Sequence, residues 1–136
     1  MKKSRLHIGL FVALCALALT LSSCSSPEKC LKGDWNATSF SVNGQETLKK
    51  LLTSFTMKFE ALDGDAGAFT FKTVSIRGVQ STETGEYSIV DDGETQIELI
   101  FSTGEKTLLR MDCDSGELNM EGTLDGAGVV ISAQKE

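Results

Sequence analysis

From Leu31 onward apolar and polar residues alternate along the chain, and Gly, Asp, Asn and Ser break the alternation at short intervals. That pattern predicts short half-buried strands joined by hairpins. Eight strands are expected, at about 33–42, 54–61, 68–77, 84–90, 95–102, 106–113, 117–123 and 129–134. The cleanest is 54–61, where Phe55, Met57, Phe59 and Ala61 share one face and Thr56, Lys58 and Glu60 the other. In 68–77 the phase slips, with Phe69 and Phe71 on one face and Val74 and Ile76 on the other, which predicts a bulge near Thr73. Between the first two strands the period changes. Leu48, Leu51 and Leu52 stand at i, i+3 and i+4, the stripe of one short helix over 45–53.

Pairs such as Asp92-Gly93, Ser115-Gly116 and Asp125-Gly126 supply the backbone freedom of tight reversals. No crossover helix separates the strands, so the sheet is expected to be antiparallel and sequential. Eight such strands remove their exposed edges by closing into an up-and-down barrel, and two stacked sheets are the alternative. A barrel of this size is either filled by side chains or holds one small ligand. The candidate pocket or core lining is Trp35, Phe55, Met57, Phe59, Phe69, Phe71, Leu99, Phe101, Leu109, Met111 and Met120. Its wealth of Phe and Met suits an adaptable apolar pocket and a solid core equally well. The predicted helix would cap one mouth.

The amino terminus carries a different signal. Lys2, Lys3 and Arg5 precede an uncharged apolar run from Ile8 to Leu19. That run is shorter than the roughly 20 residues a membrane-spanning helix needs, and it reads as a cleavable secretory leader. Leu21-Ser22-Ser23-Cys24 follows and resembles the lipobox of bacterial lipoproteins. The resemblance implies a signal peptide at 1–23, thioether lipid and acylation (palmitate-type chains) on Cys24, and a lipidated tether at 24–30. Several acyl chains together hold a protein firmly to a membrane, where one alone binds marginally. Ser25 in place of aspartate, and no run of acids after it, favour the outer membrane and its periplasmic face.

The chain has 136 residues, 40% hydrophobic and 24% charged, the balance of one globular domain, expected here at 31–136. Its formal charge is −6, and loss of Lys2, Lys3 and Arg5 with the leader leaves ten basic against nineteen acidic residues. Such a chain is a poor partner for nucleic acid, whose phosphates need basic patches. The single histidine, His7, also leaves with the leader. No Ser-His-Asp or Cys-His nucleophile system and no His-ligated zinc site can then be built. Asp63-Gly64-Asp65 opens like a calcium loop, but Val74 stands at the twelfth position, where an acid is needed. Asp91, Asp92, Asp112 and Asp114 read as solvated turn acids. No enzymatic activity, cofactor or metal is expected.

Cys15 leaves with the leader and Cys24 takes lipid, so Cys30 and Cys113 remain as an even pair in an oxidising compartment. In an up-and-down barrel the start of the first strand and the end of the sixth lie at one rim. A Cys30–Cys113 disulfide is therefore expected. Gly33-Asp34-Trp35 at the first strand resembles the lipocalin signature, as does the rhythm of Gly85-Glu86-Tyr87-Ser88-Ile89 with Ile97-Glu98-Leu99. The likeness spans about 31–133 and is to the small lipocalin-like domains of bacterial lipoproteins. It implies that Trp35 plugs the closed end of a barrel under an arginine near the last strand. No arginine follows Arg110, so that partner is replaced or missing. The expected function is a membrane-anchored, non-enzymatic binding module with a small apolar ligand inside the barrel. The alternative is a filled barrel or β-sandwich that contacts another envelope protein and has no small-molecule ligand.

Overall fold

The computed structural model describes residues 26–136. The leader 1–23 and the lipobox cysteine Cys24 lie outside the described residues. A five-residue helix α1 (Pro27–Leu31) leads into β1 (Gly33–Val42), the two-residue β2 (Gln45–Glu46), β3 (Leu52–Phe59) and β4 (Gly67–Ser75). There follow β5 (Gln80–Asp92), β6 (Glu94–Phe101), β7 (Lys106–Asp114), β8 (Glu117–Leu124) and β9 (Ala127–Lys135). All pairings between strands are antiparallel, and β3 to β9 pair in sequence order. β1 joins β3 on one edge and β9 on the other, from Trp35↔Lys135 to Val42↔Val129. The sheet thus closes on itself as an eight-stranded barrel with β2 appended, and the stacked-sheet alternative falls.

Three of the hairpins turn on residue pairs with positive φ at both positions: Asn43-Gly44, Ser115-Gly116 and Asp125-Gly126. These are type I′ turns, whose twist matches that of the strands they join. β5 is longer than the sequence pattern predicts. It runs on past a corner at Gly85, where a Cβ would sit 2.1 Å from the Ile100 carbonyl oxygen and 2.8 Å from Phe69 Cε1. Only glycine lets the strand press that closely against β6.

The helix expected over 45–53 is not formed. Asn43-Gly44 reverses the chain so tightly that Gln45 and Glu46 pair back onto β1 at Val42 and Ser41. Too few residues remain before β3 to nucleate a helix. What survives is one turn, in which the N–H groups of Lys50, Leu51 and Leu52 converge on the Thr47 carbonyl. Leu48 is buried, Leu52 is half-buried and Leu51 is 63% exposed, so the three leucines do not form a common face. The helix present among the described residues precedes β1 instead.

The predicted bulge also moves. β4 keeps an unbroken register with β5 from Gly67 to Val74. The extra residue lies opposite, on β3, where the pairing steps from Leu52↔Ser75 to Ser54↔Val74. A second bulge in β1, between Ala37 and Ser39, shifts its register against β9.

The two ends of the barrel differ. At the end where β1 begins, Leu31, Trp35, Tyr87 and Leu118 are almost wholly buried. Cys30 and Cys113 are joined there by a disulfide with Cα atoms 6.1 Å apart, as the topological argument anticipated. Trp35 Nε1 donates to the Leu31 carbonyl at 2.7 Å, tying the strand to the end of α1. Tyr87 donates its hydroxyl to the Glu60 carbonyl, and burial, followed by the charges of Glu28 and Glu60, raises its pKa. The place that the lipocalin resemblance gives to arginine is taken by Lys135. Its stem crosses Gly33, where a Cβ would lie 2.9 Å from Lys135 Cε, and φ at Gly33 is +129°. The positive φ favours glycine two residues before Trp35, and a side chain there would also push the lysine stem aside.

Candidate functional site

Strand alternation continues toward the opposite end, but the side chains there no longer meet across the axis. They enclose a cavity of about 260 Å³. Its floor and walls are built from Phe40, Phe55, Phe71 and Phe101, with Leu99, Leu109, Leu124, Val129 and Ile131. The phenylalanines form a connected set: Phe40 and Phe55 meet edge to face at 5.1 Å, Phe55 and Phe71 at 5.7 Å, and Phe71 and Phe101 at 6.3 Å. Such pairing fixes the wall on one side beyond what burial alone gives. Thr107, buried on β7, donates its hydroxyl to the Thr123 carbonyl at 2.5 Å and so holds the wall between β7 and β8.

The mouth is polar and acidic. Thr73 and Ser81 are paired across β4 and β5, and Phe71 and Glu83 are the next inward pair below them. Glu105 extends the inward phase of Thr107 and Leu109 into the β6–β7 turn, and Asp125 stands in the β8–β9 turn. These residues and Thr103 all line the opening, whereas no lysine or arginine does. The Glu105 carboxyl is held above the ordinary carboxylate range. Its hydrogen bond with Asp125 is the largest cause, followed by desolvation and then the negative charges of Asp125 and Glu83. Among the described residues no three His, Cys, Asp or Glu side chains are grouped so as to hold a metal ion.

The candidate lining from the sequence divides between the two halves. Phe55, Phe71, Leu99, Phe101 and Leu109 face the cavity. Trp35, Met57, Phe59, Phe69, Met111 and Met120 are buried away from it in the filled half. The pocket and the solid core therefore coexist, one above the other.

Phe40, Leu124, Val129 and Ile131 complete the wall, and the alternation pattern alone did not single them out. For Phe40 the cause is the β1 bulge at Thr38. Strict alternation from Trp35 would turn Ser39 and Ser41 inward, but one extra residue brings Phe40 and Val42 into the core instead. The switch from Trp35 and Ala37 to Phe40 and Val42 is the signal in the sequence. Glu105 and Asp125 were hidden because turn carboxylates are ordinarily just solvated.

No protein-family model matches the chain, and no curated protein matches it. Solved structures do. A de novo designed fluorescence-activating β-barrel is 15% identical with a TM-score of 0.59 and covers 80% of this chain and 96% of its own. A redesigned β-barrel, mFAP1, bound to DFHBI, is 18% identical with a TM-score of 0.58, over 82% of this chain and 100% of its own. A second, mFAP0, also bound to DFHBI, is 16% identical with a TM-score of 0.57, over 78% and 99%. At these identities the likeness is one of fold: a small closed antiparallel barrel.

Proposed function

We propose that this protein is a non-enzymatic binding module of the bacterial envelope that holds a small, largely apolar ligand in the open half of its barrel. The observation that carries the reading is the contrast between the two halves. One is sealed by Trp35, the disulfide and α1, and the other is a Phe-, Leu- and Ile-walled cavity with a polar mouth. Apolar pockets with a few convergent polar groups are the common form of small-ligand sites. The similar designed barrels bound to DFHBI are proteins of this shape that take a small molecule.

The lipobox-like Leu21-Ser22-Ser23-Cys24 supports lipid attachment at Cys24 and an outer-membrane location, on the periplasmic face. Only Ser25 and Ser26 separate Cys24 from α1, which plugs the closed end. An anchor there turns the cavity mouth away from the bilayer.

A second reading, a docking protein for another envelope component, draws on the exposed Leu51, Ile76 and Val79. They sit on adjoining turns at the open end, where Ile76 N–H donates to the Leu51 carbonyl at 3.1 Å. Native mass spectrometry of the full chain, released gently from membranes, separates the two. A bound mass of small-molecule size that Val129→Phe abolishes supports the binding module. A clean unliganded mass, with a stable protein complex instead, supports docking.

A further inference from the structure

Resting on that reading of the cavity, the acidic mouth and the apolar walls together narrow the class of ligand. We propose that the barrel takes a cationic amphiphile, an aromatic or branched aliphatic body of about one ring carrying a primary ammonium group. The body lies against Phe55, Phe71 and Phe101, and the ammonium ends among Glu83, Glu105 and Asp125.

Size sets the body. A dry cavity of about 150 Å³ accommodates benzene, and drug-sized sites begin at roughly 300 Å³. At about 260 Å³ this cavity takes a ring with a short chain. Charge sets the head. Three carboxylates from three separate segments line the opening, and no basic side chain lining it balances them. Their mutual repulsion shows in Glu105, whose pKa is raised by Asp125 and also by the charge of Glu83. An ammonium group relieves the same repulsion, and its remaining N–H bonds find acceptors in the hydroxyl oxygens of Ser81 and Thr103 at the rim. A carboxylate ligand meets like charge at the same place.

The test uses three probes with one phenyl body: 2-phenylethylamine, 2-phenylethanol and phenylacetate, titrated at up to millimolar concentration. The protein is the full mature chain in lipid nanodiscs, with empty nanodiscs as the blank, and binding is read by calorimetry. The amine is expected to bind about ten-fold tighter than the alcohol, as a partly screened charge interaction does, and phenylacetate weakest. Glu83→Gln, Glu105→Gln and Asp125→Asn combined should bring the amine to the level of the alcohol measured on the same variant. Glu105→Gln alone should move the amine part of the way, and all three sites are exposed, so the fold survives their change. Equal affinities of amine and alcohol for the unaltered protein overturn the charge assignment and leave the cavity reading standing. Amine binding that persists in Val129→Phe, whose ring fills the cavity, places the amine elsewhere on the acidic surface and overturns it too. Binding of none of the probes removes both this inference and the cavity reading.

Discussion

Lys135 holds its ammonium nitrogen 5.4 Å above the centre of the Trp35 ring and donates from it to the Cys30 carbonyl at 3.2 Å. One side chain at the end of the last strand thus latches the first strand, the segment before it and the disulfide together. Lys135→Ala is expected to lower stability by about 1–2 kcal/mol, the sum of an exposed cation–π contact and one hydrogen bond to a charged donor. Lys135→Met keeps the stem over Gly33 and removes only the charge. Urea unfolding of the two variants separates packing from electrostatics, and two unaltered midpoints would dismiss the latch.

The halves of the barrel should answer differently to changes of volume. In the filled half, Phe59→Ala is expected to cost about 3–5 kcal/mol, and Ala133→Leu about 1–3 kcal/mol through overpacking. Lys58→Ala, on the outer face beside Phe59, should change stability by less than about 0.5 kcal/mol. At the cavity wall Val129→Phe has room for its ring and should cost less than Ala133→Leu. Chemical denaturation of the four variants checks the order. A larger penalty at Val129 than at Ala133 would mean that the open half is filled after all.

The Cys30–Cys113 bond spans 83 positions, a long loop in the unfolded chain. In the chain-entropy picture its loss costs roughly 4 kcal/mol. The double variant Cys30→Ser, Cys113→Ser should unfold at correspondingly lower urea and with a steeper slope, because the released unfolded chain exposes more surface. Non-reducing peptide mapping of the unaltered protein should recover one linked peptide containing both cysteines.

The raised pKa of Glu105 has a defined sign in the pH dependence of stability. The folded chain holds this proton more tightly than the unfolded chain, so it binds more protons between the ordinary carboxylate range and the raised value. Stability therefore falls as the pH rises through that window, and acidification below it removes the penalty. Glu105→Gln should flatten this part of the curve and leave the protein more stable than the parent above the window. Urea midpoints of parent and variant at pH about 4 to 7 measure the difference. Parallel curves would show that Asp125 and Glu83 do not act on Glu105.

Much of the barrel is legible in the alternation because hairpin strands carry their own evidence. Phe55, Met57 and Phe59 are buried, and Lys58 and Glu60 exposed, as their spacing requires. The Cys30–Cys113 pairing follows from strand direction, which hairpins determine. Three features escaped because they depend on contacts distant in sequence. Thr38 bulges only in its register with β9, and that register alone turns Phe40 inward. The 45–53 segment gives up its helical spacing because Glu46 is drawn back to β1. The rim acids gather from β5 and from two turns, some twenty residues apart in sequence, at 83, 105 and 125.

β1 pairs with β9 along almost its whole length but with β3 only from Gly33↔Phe59 to Asn36↔Thr56. Beyond Asn36 the gap is closed by the Glu46 carboxylate, which accepts from Ser39 Oγ at 2.8 Å and from the Phe40 N–H at 3.2 Å. Thr47 N–H adds a bond to the Phe40 carbonyl at 2.7 Å. The cylinder thus has a seam, stitched by one side chain and a turn where its other walls have continuous ladders. Stability is lowest where the fewest backbone bonds must break together. Amide hydrogens at the upper edges of β1 and β3 should therefore exchange with deuterium ahead of those in β6, β7 and β8. Phe40 and Phe55 stand face to edge across that seam, so its parting unlatches the cavity from the side as well as from above.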